Sequence, residues 1–333
     1  MALVQIADVV VPEIFTPYML VLTQEKSRLI QSGAAIVNGD LNTSLAGGGK
    51  TFNDPSWNDI PNDADNVGDD VPANVAVPNK ITSNQEIQVR LSRNQHWSAA
   101  DLSAALAGSD PMQAIAQRVA NYWTRRSQAA FVATMNGVFA DNTANDAGDY
   151  TNDITGAFAA GVTDFSAEAV IDTALTAGDT LDSFTMIMVH SVVYAKMRKN
   201  NLIDFIRDSE NGGQIARFGD LEVIVDDGLP VSVNNYESWL FGPGAIQLGI
   251  GTPKVPTEVT REALQGNGAG VEILSSRLEW VLHPAGHAYI GTAPDGGPSN
   301  AATANNLAAA ASWNRVYPER KQINIARLIT TEA

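Results

Sequence analysis

Gly49-Lys50-Thr51 carries the last three residues of a phosphate-binding loop, in which glycine-rich backbone amides wrap the phosphates and a lysine meets their charge. That pattern requires glycine at position 44, where Ser44 stands, and Pro55 bars the following residues from opening the helix such a loop feeds. His283 and His287 have the i, i+4 spacing of a helical zinc pair. Pro284 and Gly286 lie between them and no glutamate follows His283, so neither the helix nor the general base of that motif is present. His96 and His190 have no carboxylate near them in sequence, and His190, following an apolar run, reads as a hydrogen-bonded core residue. Asp226 and Asp227 are adjacent, and neighbours on a strand point to opposite faces; with Gly228 next, they read as a turn rather than an acid–base dyad. There is no Gly-x-Ser-x-Gly motif and no cysteine at all. The residues compose no catalytic, metal or cofactor site, and no disulfide framework is open to the chain.

The elements around these residues carry more information. Between Asn53 and Asn79 the chain holds six aspartates, no lysine or arginine, and Pro55, Pro61, Pro72 and Pro78, directly after the run Gly47-Gly48-Gly49. Such a stretch cannot bury enough apolar surface to offset its conformational entropy. Phe52, Trp57 and Ile60 nonetheless punctuate it. An extended arm that orders against a neighbouring molecule fits both facts, and Lys50, Phe52, Trp57, Asp63 and Asp65 become candidates for contact between subunits.

Residues 111–136 read as the opposite case, one long helix. Asp110 is suited to the N-cap, Pro111 to the first helical position and Gln113 to a capping box. Met112, Ile115, Val119, Tyr122 and Trp123, then Ala130, Met135 and Val138, form a helical stripe. At about 1.5 Å per residue the helix spans roughly 39 Å. Arg118, Arg125 and Arg126 lie off the stripe's centre; they form either a solvated polar face or a docking face for the acidic arm of another subunit.

Further along, Ser166 caps a helix through Ile171 and Leu175 that stops at Gly178, and residues 184–189 read as a buried strand. Ser191 opens another helix whose last turn carries Lys196, Arg198 and Lys199, where they complement the dipole. Strands are predicted over 86–91, 221–225, 239–248, 271–282 and 316–330, the last returning to the first domain. A turn at Asn38-Gly39, a short helix over 98–107 with Ser98 as its cap, a polar surface loop over 141–153 and an N-terminal helix after Pro12 complete the reading. The fold class is α+β.

The runs Trp97-Ser98-Ala99-Ala100-Asp101-Leu102, Ala107-Gly108-Ser109-Asp110-Pro111 and Tyr122-Trp123 are followed by Met188-Val189-His190-Ser191-Val192-Val193-Tyr194. Val225-Asp226-Asp227-Gly228-Leu229-Pro230, Leu240-Phe241-Gly242-Pro243-Gly244-Ala245, residues 277–284 and Trp313-Asn314-Arg315-Val316-Tyr317 complete the series. Together, in this order, they make the chain resemble the major capsid proteins of tailed bacteriophages, with the Hong Kong 97-type capsid fold. The resemblance implies an N-terminal arm (1–40), an extended β-hairpin loop (41–96), a peripheral domain with a spine helix (97–153 and 292–333) and an axial domain (154–291). It implies hexamers and pentamers tiling an icosahedral head around double-stranded DNA, with portal and, where needed, scaffolding or decoration proteins as partners. Assembly is expected in the host cytoplasm and the mature protein in the virion. Some members crosslink a loop lysine to a neighbour's asparagine, a pattern Lys50 matches in region only. No extra domain precedes Pro12, so scaffolding is expected from another protein or from a segment already removed. An encapsulin-like cargo shell shares the fold, and a cytosolic α+β enzyme is the alternative of another class.

Composition agrees with a shell subunit. Of 333 residues, 44% are hydrophobic and only 17% charged, as suits a chain that hides surface in permanent interfaces. The net charge is −16, and residues 127–195 hold nine acidic side chains and no lysine or arginine, the reverse of a phosphate-gripping surface. Packaged DNA is therefore expected to be contacted weakly. Residues 2–11 lack the basic start of a signal peptide, and no apolar stretch approaches the ~20 residues of a membrane span, so a soluble chain without membrane contact is expected.

Overall fold

The computed structural model describes residues 35–60, 63–101, 111–207 and 214–333. The predicted N-terminal helix, the Asp110 cap and residues 102–107 of the predicted short helix lie outside them. Strand β1 (Ala35–Val37) leads into helix α1 (Gly39–Gly47), then strands β2 (Thr51–Trp57), β3 (Ser83–Val89) and β4 (Leu91–Ala100). Helix α2 (Pro111–Asn145) follows, then β5 (Thr151–Asp153), α3 (Ala167–Leu175), β6 (Met186–Val189) and α4 (Ser191–Lys199). Strands β7 (Asp204–Arg207), β8 (Gln214–Phe218), β9 (Leu221–Val225), β10 (Val231–Ser232) and β11 (Asn235–Phe241) come next. The chain closes with β12 (Ile246–Gly251), β13 (Thr257–Glu262), β14 (Val271–Pro284), β15 (His287–Tyr289), β16 (Trp313–Arg315) and β17 (Ile325–Thr331).

Two main sheets share one helix. The five-stranded sheet runs β1-β12-β14-β13, with β4 laid along β14 from Val271↔Ala100 to Trp280↔Leu91. The eight-stranded sheet runs β5-β17-β11-β6-β9-β8-β7, with β10 on β11. Its central strands are buried on both faces. Met186, Met188, Trp239, Phe241 and Ile325 join the core under α2, while Ile187, Val189, Leu240, Ala326 and Leu328 face the core of α3 and α4. This is period-2 alternation with both faces covered.

Helix α2 extends to Asn145, about 52 Å at 1.5 Å per residue. Its first half meets the five-stranded sheet, where Trp123 Nε1 donates to Ser276 Oγ (3.0 Å) and Trp123 packs edge-on to Trp280. Its second half places Phe131 and Phe139 against Trp239 of the other sheet. Residues 141–145, expected in a surface loop, are helical because their polar groups satisfy one another. Asn145 Nδ2 donates to Asp141 Oδ1 (2.6 Å), and Asn142 bridges Asp149 Oδ1 and the Tyr150 amide.

Three further expectations are corrected. Asn38 is a helix cap, not a turn: its Oδ1 accepts from the Asp40 amide (2.9 Å), and residues 41–47 are helical rather than loop. Leu41 and Leu45 of α1 pack over β12 where Gly249 has no side chain; a Cβ there would lie 2.8 Å from that of Leu41. Ser98 caps nothing and lies in β4 opposite Ile273, drawn into the long β14 ladder, with Trp97 edge-on to Tyr122 at 5.3 Å. The final strand is shorter than the expected 316–330 and spans only Ile325–Thr331. β17 pairs antiparallel with β11 over seven residues and parallel with β5, because Ile325, Ala326 and Leu328 need cover on two faces.

Candidate assembly surfaces

Strands β2 and β3 pair in register from Thr51↔Val89 to Trp57↔Ser83 as a two-stranded sheet separate from the two main ones. Their base is fixed strongly. Phe52 packs on Leu41, Leu45 and Val281 of its own chain, so its ring anchors the hairpin. Lys50 forms an ion pair with Asp295, a carboxylate that its sequence neighbourhood does not show, and this contact holds the Asp295 carboxyl below its usual range. Arg90 pairs with Glu279, whose other oxygen accepts from Ser92 Oγ.

Beneath β3 is a buried polar pair. Glu86 is 5% exposed, and His283 Nε2 lies 2.7 Å from its Oε2. Burial alone would raise the Glu86 carboxyl, but hydrogen bonding and charge from His283, with help from Tyr317 and the Gly286 backbone, hold it below the usual value. His287 sits on the neighbouring strand with other partners, Tyr150 OH at 3.3 Å and the Ala285 carbonyl at 3.1 Å. Full burial pushes its imidazole down to about 4. Arg315 and Arg320 both lie over the Tyr150 ring, at 5.3 and 4.8 Å. The two histidines thus belong to the packing beneath the hairpin, on strands β14 and β15.

Beyond Trp57 the hairpin is exposed. Trp57 is 72% accessible, Ile60 70% and Val67 91%, and Asp63, Asp65, Asp69 and Asp70 are all open to solvent. The aspartates shape the tip locally: Asp69 Oδ1 accepts from the Val71 amide (3.0 Å) and Asp63 Oδ2 from Asn79 Nδ2 (3.5 Å). The apolar side chains of this arm therefore lie open to solvent without a core of their own.

Arg118, Arg125 and Arg126 are all exposed on α2, and among the described residues none of them meets a carboxylate. Arg125 and Arg126 border a cleft of about 540 Å³ that Ala129, Val132, Ala133, Asn136, Asp226 and Asn300 also line. Burial, then the nearby charge of Arg126, lowers the Arg93 guanidinium. Asp226 and Asp227 do not form a dyad. Asp226 accepts from Gln128 and the Gly228 amide (2.8 Å), and Asp227 accepts from the Ser191 amide (3.1 Å). His190 caps α4, its Nδ1 accepting from the Val192 amide (3.2 Å), with Asp227 at 3.7 Å supplied from another element.

Sequence reasoning missed Asp295, Glu86 and α1. Only α1 left a local trace, since Asn before Gly-Asp-Leu is a capping signature.

A hairpin arm, a spine helix crossing two sheets and a two-faced α/β body define a shell-forming protein with the Hong Kong 97-type capsid fold. The capsid protein of Ralstonia phage GP4 superposes with a TM-score of 0.56 at 9% identity, covering 86% of this chain and 84% of that one. The cyanophage Pam1 capsid subunit gives 0.54 at 11% identity, with 89% and 88% covered. No family model matches the chain. In sequence it is 39% identical over 333 residues to the major capsid protein of Bacillus phage SPP1, covering 96% of both chains. The chain belongs to the major capsid proteins of tailed bacteriophages, and its role is structural, as the repeated subunit of a virion capsid.

Proposed function

We propose that the chain forms hexamers and pentamers that close an icosahedral head around double-stranded DNA, assembling in the host cytoplasm with a portal and, where used, scaffolding or decoration proteins. The observation that carries this reading is the complementarity between the acidic, apolar hairpin tip and the exposed arginines of α2, which form no ion pair among the described residues. In this arrangement the hairpin lies across the adjacent subunit. Asp63 and Asp65 approach Arg118, Arg125 and Arg126 of that copy while Trp57 and Ile60 lose solvent. Lys50 and Phe52 set the angle at which the arm leaves. The peripheral domain is built on the five-stranded sheet and the first half of α2, and the axial domain on the eight-stranded sheet, so that β12–β14 belong to the former and β17 to the latter. The acidic stretch 127–195 suits a wall that touches DNA weakly.

Replacing residues 59–81 by a short glycine-serine turn tests the arrangement. The shortened chain should keep its circular dichroism and stay soluble yet form no particles by light scattering. Particles of normal size would refute it.

A further inference from the structure

Helices α3 and α4 lie on the same face of the eight-stranded sheet but toward opposite edges of it. α3 packs over β5 and β17 at one end. The last turn of α4 reaches β7 at the other end, where the Arg198 guanidinium stacks 5.6 Å from the Phe205 ring. The two edges carry opposite chemistry. Residues 166–183 hold Glu168, Asp172, Asp179 and Asp182 and no lysine or arginine. Asp179 is taken by Lys321 at 2.7 Å; the other three acids have no ion pair among the described residues. On α3, Glu168, Ile171, Asp172 and Leu175 share one exposed face by helical spacing, with Ile171 and Leu175 about 60% accessible (62% and 59%). Residues 184–207 hold Lys196, Arg198, Lys199 and Arg207 against one acid, Asp204, with Asp208 and Glu210 following in sequence. Lys196 is committed to Asp164 at 2.7 Å, which leaves Arg198 and Lys199 exposed and without an ion pair among the described residues, beside the exposed ring of Phe205.

We infer that neighbouring subunits of a capsomer meet edge to edge, the acidic and apolar α3 face of one copy docking on the basic, aromatic α4–β7 edge of the next. Neither patch is self-complementary, so a two-fold contact would oppose like charges. Opposite edges of one molecule give a heterologous, head-to-tail contact, the kind that closes into rings. In a chain of charge −16, such local pairing offsets the repulsion that a ring concentrates, and its register is set by charge while Ile171, Leu175 and Phe205 supply apolar burial. The contact rests on the shell reading above and adds to it which faces meet.

A charge swap tests it on the full chain. Glu168→Lys with Asp172→Lys should raise the critical concentration for particle formation by at least about tenfold, and Arg198→Glu with Lys199→Glu should do the same, since like charges then face each other. Combining all four substitutions in one chain should return the critical concentration to within about threefold of wild type. Each pair also opposes a helix dipole, but those losses add in the combined chain, so restoration can come only from charges that meet across the contact. The contact is overturned if either reversed pair assembles like wild type, or if the combined chain assembles no better than its two parents. A wild-type chain that forms no particles even with its scaffolding partner supplied overturns the shell reading itself.

Discussion

Gly137 lies on the buried side of α2, and a Cβ at that position would fall 2.1 Å from the Leu307 carbonyl oxygen and 2.5 Å from Trp313 Nε1. Those two atoms are hydrogen-bonded to each other at 2.7 Å, and Trp313 is almost wholly buried. Gly137→Ala must therefore force apart a backbone carbonyl and an indole, neither of which has a flexible end to yield. Overpacking costs about 1–3 kcal/mol, and a broken hydrogen bond between buried groups about 1–3 more. Against this, alanine in a helix gains about 1 kcal/mol over glycine. The net expectation is a loss of about 3 kcal/mol. Urea denaturation of the unassembled chain, followed by tryptophan fluorescence, reads both the stability and the environment of the displaced indole. Unchanged stability, or the ~1 kcal/mol gain of an ordinary helical Gly→Ala, would refute the reasoning.

Stability should also fall on acidification through His287. Burial lowers its folded-state value from 6.5 to about 4, so its contribution is complete above 6.5 and is lost as the pH falls from 6.5 to 4. The full loss is about 3 kcal/mol, and His287→Gln should flatten the dependence of the denaturation midpoint between pH 7.5 and 5. Glu86 has the same sign but acts lower, its lowered value withdrawing stability only as the pH drops below its ordinary 4.5, where most of the His287 loss has already occurred. Asn38→Ala removes the cap of α1 and should cost about 1 kcal/mol in thermal or urea unfolding; an unchanged midpoint would mean that the cap contributes nothing. Raising salt from about 0.01 to 0.1 M shortens the screening length from about 30 to about 10 Å and should promote assembly of these −16 subunits, as followed by sedimentation, while any DNA binding weakens.

Local rules determined much of this protein before any contact was known. Ser166 caps α3 as its hydroxyl and spacing require, residues 186–189 form a buried strand because four apolar side chains in a row need cover on two faces, and β9 begins at Leu221 and ends at Val225 as its alternation dictates. The low content of apolar side chains between β2 and β3 marked an arm, because lack of burial is a property of composition alone. The order of motifs along the chain carried the family. Tertiary structure decided what depends on partners distant in sequence. Ser98 is a strand residue because β14 offers it a ladder, β17 belongs to the eight-stranded sheet because its two apolar faces find cover only there, and residues 141–145 stay helical because Asp149 and Tyr150 return to satisfy them. Glu86 and His283 lie 197 residues apart, and Lys50 and Asp295 lie 245 apart. No local propensity encodes such pairs: they arise when the burial of other residues closes the loops between them, and the electrostatics of the hairpin base follows from that closure.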